Sequence, residues 1–217
     1  MPGHITAQEE GMSHRITDYC ILRQSIVDVI MDHVDSPKEW LDTGCGAGGS
    51  ARLSLDTFKD THFILADPSE ENLSEAKRTI GRDNVDFICS PTHQLELESS
   101  SLDVITAILS HHYYADIVSK KEAISNCYRM LKDGGVYVMV EHTVYDDAQN
   151  RMDAEWRLYM ESNGLDAESI QNMFDRRNTF YFPLTESQHI KLLKEIGFSE
   201  IEVFWNSCSD IGICARK

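Results

Sequence analysis

Three stretches of this chain place residues whose types and spacing could do chemistry, and a fourth could anchor a charge. The first is "LDTGCGAGG", Leu41 to Gly49, with four glycines in six residues and Asp42 two places before the first of them. Glycines between a strand and a helix let a ligand lie against bare backbone, and the helix start behind them offers free N–H groups and positive potential. "GCGAGG" meets the G-x-G-x-x-G spacing of a dinucleotide site, and Asp67 stands downstream where a ribose-binding acid belongs. Asp42 argues for a different ligand. A carboxylate aimed into the turn repels a pyrophosphate and attracts a cationic ammonium group. The second and third stretches are "SHHYY", with His111, His112 and Tyr113, and "EHTVY", with Glu141 and His142. Histidine is the side chain whose ordinary pKa suits it to take a proton near neutrality, so His111 and His112 are the candidate bases. The alternative, that these rings pack around a ligand or close a strand, carries equal weight. The fourth is the adjacent pair Arg176 and Arg177 in "FDRRNTFYFPLT". Paired guanidiniums beside an aromatic loop suit bidentate carboxylate recognition, although Asp175 before them also fits a plain surface ion pair.

The elements that must position these residues follow from periodicity. "DYCILRQSIVDVIMDHV" has helical spacing and stops at Pro37. Then strands and helices alternate. "EWLDT", "THFILAD", "VDFIC", "LDVITAIL" and "GGVYVMVEH" read as strands, "GSARLSLDTF" and "SEENLSEAKRTI" as helices, the latter capped by Ser69, and "SKKEAISNCYRMLKDGG" as a helix closed by glycine. Such alternation predicts βαβ units and a parallel sheet. From Tyr145 to about Phe174 the pattern is helical, "ESQHIKLLKEIGF" is a further helix, and "IEVFW" and "IGICARK" make an antiparallel hairpin. In an open sheet of this kind ligands bind beyond the carboxyl ends of the strands, where the glycine turn and both histidine stretches fall.

The chain's 217 residues suit one domain, and its net charge of -16 is spread along the sequence, which disfavours a nucleic-acid partner. No apolar run reaches membrane-spanning length and the first residues lack a signal-like apolar segment, so the expectation is a cytoplasmic protein without a membrane partner. Six cysteines with no C-x-x-C pair read as reduced, mostly buried thiols, and no histidine spacing suggests a metal site. A small-molecule substrate is the expected partner, and a homodimer stays open.

"LDTGCGAGG", "ILADPSEENLSEAK", "SLDVITAILSHHYY" and "NCYRMLKDGGVYVMVEH", in that order and spacing, resemble the successive motifs of the class I S-adenosyl-L-methionine (SAM) dependent methyltransferases. The resemblance implies a Rossmann-like α/β fold: a mostly parallel seven-stranded sheet, helices on both faces and a C-terminal antiparallel hairpin. It implies SAM as cofactor, methyl transfer to a small molecule, and one domain over residues 1–217. Within it, residues 1–37 would be a helical cap, 38–142 the SAM-binding core, 143–183 a helical insertion on the substrate side, and 184–217 the terminal helix and hairpin. Gly44, Gly46 and Gly48, with Cys45 between them, would line the methionine part of SAM. Asp42 would reach its amino group, Asp67 would hold the ribose hydroxyls, and Pro68 and Ser69 would flank the adenine. Many members place an Asp after the third strand, where this chain reads "ICSPTHQL". Thr92, His93 or backbone groups would hold the adenine instead. Tyr113, Glu141, His142, Arg176 and Arg177 would bind the acceptor. "FDRRNTFYFPLT" and the C-terminal stretch also resemble the carboxy-SAM synthase family, in which an arginine helps bind the carboxylated cofactor or its precursor. A carboxy-SAM synthase, a NAD-dependent oxidoreductase and a SAM-binding protein without activity are the alternatives.

Overall fold

Each apolar run from Glu39 onward forms a strand at the expected place. The computed structural model describes residues 11–217, so the first ten residues of the expected cap lie outside the described residues. The chain runs α1 (Tyr19–His33), β1 (Glu39–Thr43), α2 (Ala51–Thr57), β2 (His62–Asp67), α3 (Glu70–Ile80), β3 (Val85–Cys89) and β4 (Leu102–Ile108). It continues through α4 (Ile117–Met130), β5 (Leu131–His142), α5 (Gln149–Ser162), α6 (Ala167–Asp175), α7 (Glu186–Ile196), β6 (Ser199–Asn206) and β7 (Asp210–Arg216). Short 3-10 turns at Thr92–Gln94 and His111–Tyr113 follow β3 and β4.

The seven strands form one sheet in the order β3-β2-β1-β4-β5-β7-β6. All neighbours run parallel except β7, which is antiparallel to both β5 and β6. This is the mostly parallel seven-stranded sheet with a C-terminal antiparallel hairpin that the resemblance implies. Alternate residues of each strand feed opposite faces. Trp40, Phe63, Leu65 and Val138 pack with Leu22 and Ile30 of α1 on one side, and Leu41, Ile105 and Tyr137 pack with Ile124 of α4 and Leu193 of α7 on the other. Because both faces are covered, the central strands are buried almost end to end. The chain leaves β1 toward β2 and β3, then returns to β4 on the other side of β1. The carboxyl ends of β1 and β4 therefore part at a topological switch point, which opens a crevice there.

Three local expectations change. The segment "LKDGG" does not close α4. Leu131 pairs with Leu102 as the first residue of β5, and Gly134 instead takes a left-handed turn with φ of 81° inside that strand. The helical stretch after Tyr145 is two helices. Gly164, at φ 85°, ends the first, and Asp166 starts the second by accepting from the Ser169 amide. The cysteines are all free thiols, but only Cys45, Cys127 and Cys214 are buried, while Cys20 and Cys89 are exposed. Ser69 caps α3 as expected, accepting from the Asn72 amide. Trp156, Met160 and Ile170 give α5 and α6 an apolar cluster of their own, separate from the sheet's.

Candidate active site

A cavity of about 530 Å³ opens at the switch point, within the range of small-molecule sites. Its walls come from the ends of β1, β2, β4 and β5, from the start of the described chain, and from the region of α6. Of the residues singled out in the sequence, Gly44, Cys45, Gly46, Asp67, Pro68, Thr92, His111, His112, Tyr113, His142 and Arg176 line it. Asp42, Gly48, His93, Glu141 and Arg177 do not.

The glycine turn is held against β2 by two amides, Gly44 N and Cys45 N, which both donate to Ala66 O at 2.7 and 3.0 Å. Gly44 has φ of 69°, and a Cβ there would fall 2.3 Å from Ser110 Cβ. The turn can lie this close to the β4 end only because the side chain is missing. Gly48 serves packing instead, since a Cβ there would meet Ile80 Cδ1 of α3 at 2.7 Å. Asp67, buried at the end of β2, ties the turn to the next helix. Its Oδ2 accepts from Gly46 N at 2.9 Å, and its Oδ1 accepts from Ser69 N at 2.9 Å and Asn72 Nδ2 at 3.1 Å. A carboxylate has about four acceptor sites. Three are used, so two ribose hydroxyls can be accepted together only if an internal bond, such as that from Gly46, is released.

Asp42 sits beneath the turn, outside the cavity. Thr106 Oγ1 donates to its Oδ1 at 2.7 Å, while its Oδ2 is buried with no hydrogen-bond partner among the described residues. Burial pushes this carboxyl up to about 7; the bond from Thr106 opposes that shift and the charge of Asp67 adds to it. Thr92 lines the cavity, but its hydroxyl is shared with Thr43 Oγ1 at 2.7 Å and His111 Nε2 at 3.1 Å. His93 points elsewhere: it is exposed and its Nδ1 lies 3.1 Å from Tyr114 OH. Burial raises the Cys45 thiol, which keeps it protonated and unreactive.

The histidine end is reached through Leu109, whose φ of 53° is costly for a bulky residue and turns the chain sharply out of β4. His111 is fully engaged, with Nδ1 2.9 Å from Tyr137 OH and Nε2 on Thr92. Burial lowers it to about 4, so its ring is neutral. His112 is also lowered by burial, and its Nδ1 lies 3.4 Å from Glu141 Oε2. Glu141 is buried behind both histidines and accepts the His111 amide at 2.9 Å. Its burial is overcome by the His112 contact and the charge of Lys120, which hold it down to about 2. Glu141 therefore braces the His111–Tyr113 turn from behind and does not face a ligand. His142 has a different partner: its Nδ1 is 2.7 Å from Oδ1 of Asp210, a fully buried carboxylate.

The arginine pair divides. Arg177 makes a bidentate ion pair with Asp153 of α5, at 2.9 and 2.7 Å, and so fastens α6 to α5. Arg176 lines the cavity and stacks 4.0 Å over the Phe180 ring. Sequence reasoning missed several wall residues. In the sequence Arg15, Ile16 and Tyr19 show only as part of a helical cap, Asn72 only as a helix residue, and Tyr181 only as an aromatic loop position, yet all line the cavity. Asn72, five places after Asp67 on the next helix, carried a local signal; the others are brought in by tertiary packing.

Part of the chain that builds this site resembles a known family. Residues 41–135, which span the glycine turn, Asp67 and the histidine turn, match the family model described as "Methyltransferase domain". That stretch, a little under half of the chain, is similar to a methyltransferase domain. Two carboxy-S-adenosyl-L-methionine synthases are similar over a longer stretch. That of Helicobacter hepaticus is 26% identical over 222 residues, covering 96% of this chain and 90% of the relative. That of Shewanella loihica is 26% identical over 176 residues, covering 77% and 70%. Among solved structures, a Haemonchus contortus phosphoethanolamine N-methyltransferase, determined with S-adenosylhomocysteine (SAH), superposes with a TM-score of 0.64 at 18% identity. The match covers 89% of this chain and 52% of that one. The resemblance implies SAM as the cofactor, and the residues present fit it. Gly44 leaves the cradle that a Cβ would fill, and Asp42 Oδ2 is an orphaned buried acceptor beneath it.

Proposed function

We propose that this chain is a class I methyltransferase, which transfers the methyl group of SAM to a small-molecule acceptor bound between the histidine turn and the segment 143–183. The observation that carries this reading is the single cavity that joins the glycine turn and Asp67 at one end to His142, Tyr181 and Arg176 at the other. SAM supplies an electrophilic methyl group, and methyl transfer is an in-line displacement for which a protein chiefly provides alignment and a dry site. Gly44 and Gly46 would bound the methionine part, with Asp42 supplying negative potential through the turn. Asp67 would take the ribose after giving up the Gly46 amide. Pro68, Ser69 and Pro91 would border the adenine. Segment 143–183, held together by the Trp156 cluster and the Arg177–Asp153 pair, would close the acceptor end. Arg176 would meet an anionic group there. Mass spectrometry of the ligand retained on purification tests the cofactor, with SAM or SAH expected. Methyl-labelled SAM added to a small-molecule extract tests the transfer, with label expected in a compound other than SAM. NAD as the retained ligand contradicts the reading.

One observation favours a second reading. The two relatives are carboxy-SAM synthases, and Arg176 stands in the cavity where it could meet a carboxylate on the cofactor. Incubation with SAM and prephenate distinguishes the two, because a synthase enlarges the cofactor by a carboxylate and labels no acceptor.

A further inference from the structure

The groups at the histidine end are not equivalent, and one is built differently from the rest. His142 and Asp210 face each other across the antiparallel β5–β7 pair, where side chains on one face meet. Asp210 can only accept when ionised, so the His142 nitrogen 2.7 Å away, Nδ1, carries the proton it donates. In the neutral ring that leaves Nε2 as a lone-pair acceptor. The carboxylate is itself fixed: its Oδ2 accepts from Ser209 Oγ, and its backbone N–H donates to Ser207 Oγ at 3.1 Å. The ring is held between His112 and Tyr181, with centroids 4.7 and 4.9 Å away, and it lines the cavity. His111 has both nitrogens engaged. His112 is 2% exposed against 12% for His142, and its carboxylate contact is 3.4 Å, longer than a well-made charge-assisted bond.

An oriented imidazole with one free nitrogen is needed only by certain nucleophiles. A neutral amine or a thioether attacks a methyl group with its own lone pair. A hydroxyl is a poor nucleophile until its proton leaves, which is the task a positioned base performs. The surroundings narrow the acceptor further. Tyr181 stands beside His142, and Tyr113 and Arg176, which line the cavity with it, both pack on Phe180, Tyr113 edge-on at 5.4 Å and Arg176 over the ring at 4.0 Å. Aromatic walls thus lead from His142 to an arginine that has no carboxylate partner among the described residues.

Resting on the methyl-transfer reading, we infer that His142, held by Asp210, takes the proton of an acceptor hydroxyl, and that the acceptor is a small aromatic hydroxy acid whose carboxylate faces Arg176. The hydroxyl oxygen forms its bond to the methyl carbon as the carbon–sulfur bond breaks. The electron pair of that bond stays on sulfur, giving neutral SAH. The hydroxyl proton goes to His142 Nε2, the imidazolium is held by Asp210, and the proton then leaves to solvent. His142 touches the reacting group; Asp210 is a positioning residue.

The test uses the full chain loaded with SAH, then with SAM. The probes are 2-, 3- and 4-hydroxybenzoate, with benzoate and phenol as controls lacking one group each. At least one hydroxybenzoate is expected to bind SAH-loaded protein more tightly than either control, and to yield its methoxybenzoate with SAM. His142→Gln is expected to lower turnover about 100-fold or more while leaving SAH affinity within about threefold. Asp210→Asn should lower turnover and move the nitrogen-15 shifts of His142 toward the other tautomer, a change that loss of packing alone does not produce. If SAH binds but no hydroxybenzoate is bound or methylated, the acceptor class is overturned and the cofactor reading stands. If His142→Gln turns over normally, the base is overturned. Failure of the unaltered chain to bind SAH removes the underlying methyl-transfer reading instead.

Discussion

At the glycine-turn end of the cavity, the walls come largely from one local stretch, Gly44 to Asn72, whose one carboxylate, Asp67, is tied to the backbone around it. At the histidine end they are side chains gathered from far apart, such as His142 and Asp210, which are 68 positions apart. The first end is shaped by bare backbone, and a single methyl group can block it. The second depends on the docking of α5 and α6, which carry their own small apolar cluster. The two ends should therefore fail separately.

The largest effect is expected from Trp156→Ala. Trp156 is buried in the α5–α6 cluster and its indole N–H donates to Arg15 O at 2.7 Å. Truncating such a side chain costs about 3–5 kcal/mol. Proteolysis confined to segment 143–183, with SAH affinity within about threefold of the parent, is the expected outcome; equal loss at both ends would erase the distinction. Gly44→Ala strikes the other end. Its Cβ would lie 2.3 Å from Ser110 Cβ in a backbone conformation that alanine resists, and strain of this kind costs about 1–3 kcal/mol. SAH affinity should drop about tenfold or more while segment 143–183 stays protease-resistant. Asp67→Asn should weaken SAH binding by about 1.5–3 kcal/mol, the range for bonds to a charged group. Because Asp67 also ties Gly46 to Asn72, amide exchange in the turn should rise in the same variant.

The smallest effect, and the most specific, concerns pH. The Asp42 carboxyl is raised to about 7 in the folded chain, from 3.8 ordinarily. Between those two values the folded state holds a proton that the unfolded state has lost, so Asp42 draws stability down as pH rises through this window. Asp42→Asn should therefore be more stable than the parent at pH 8, by thermal unfolding, and equal to it below pH 4. The same substitution should weaken SAM binding, since the ammonium group favours the ionised carboxylate. Parent affinity for SAM should accordingly rise between pH 6 and 8 with release of a proton, read by calorimetry in two buffers of different ionisation heat.

The glycine-turn end was legible because its determinants are local. "EWLDT" ends in the turn, Ser69 caps the next helix, and Asp67 sits at the strand end between them. A reader of the sequence can place such groups from strand and cap signals alone. The histidine end was legible in its residue types and not in their partners. Nothing in "EHTVY" announces that Asp210 will lie across from His142, because that pairing is set by the register of β5 with β7. Adjacent residues also part for reasons that spacing conceals. Arg176 and Arg177 looked like one basic patch, yet they follow the end of α6 at Asp175, and the C-cap Arg176 goes to the cavity while Arg177 goes to Asp153. Likewise His111 and His112 looked alike as bases, until Tyr137 and Thr92 took both nitrogens of the first.

The central claim is that the glycine turn with Asp42 and Asp67 binds a sulfonium nucleoside and not a dinucleotide. Titration calorimetry of the purified full chain with SAM, SAH and NAD tests it most directly. The account predicts micromolar binding of SAM and SAH, about -8 kcal/mol, and no heat from NAD. Binding of NAD with no response to SAM or SAH would contradict it.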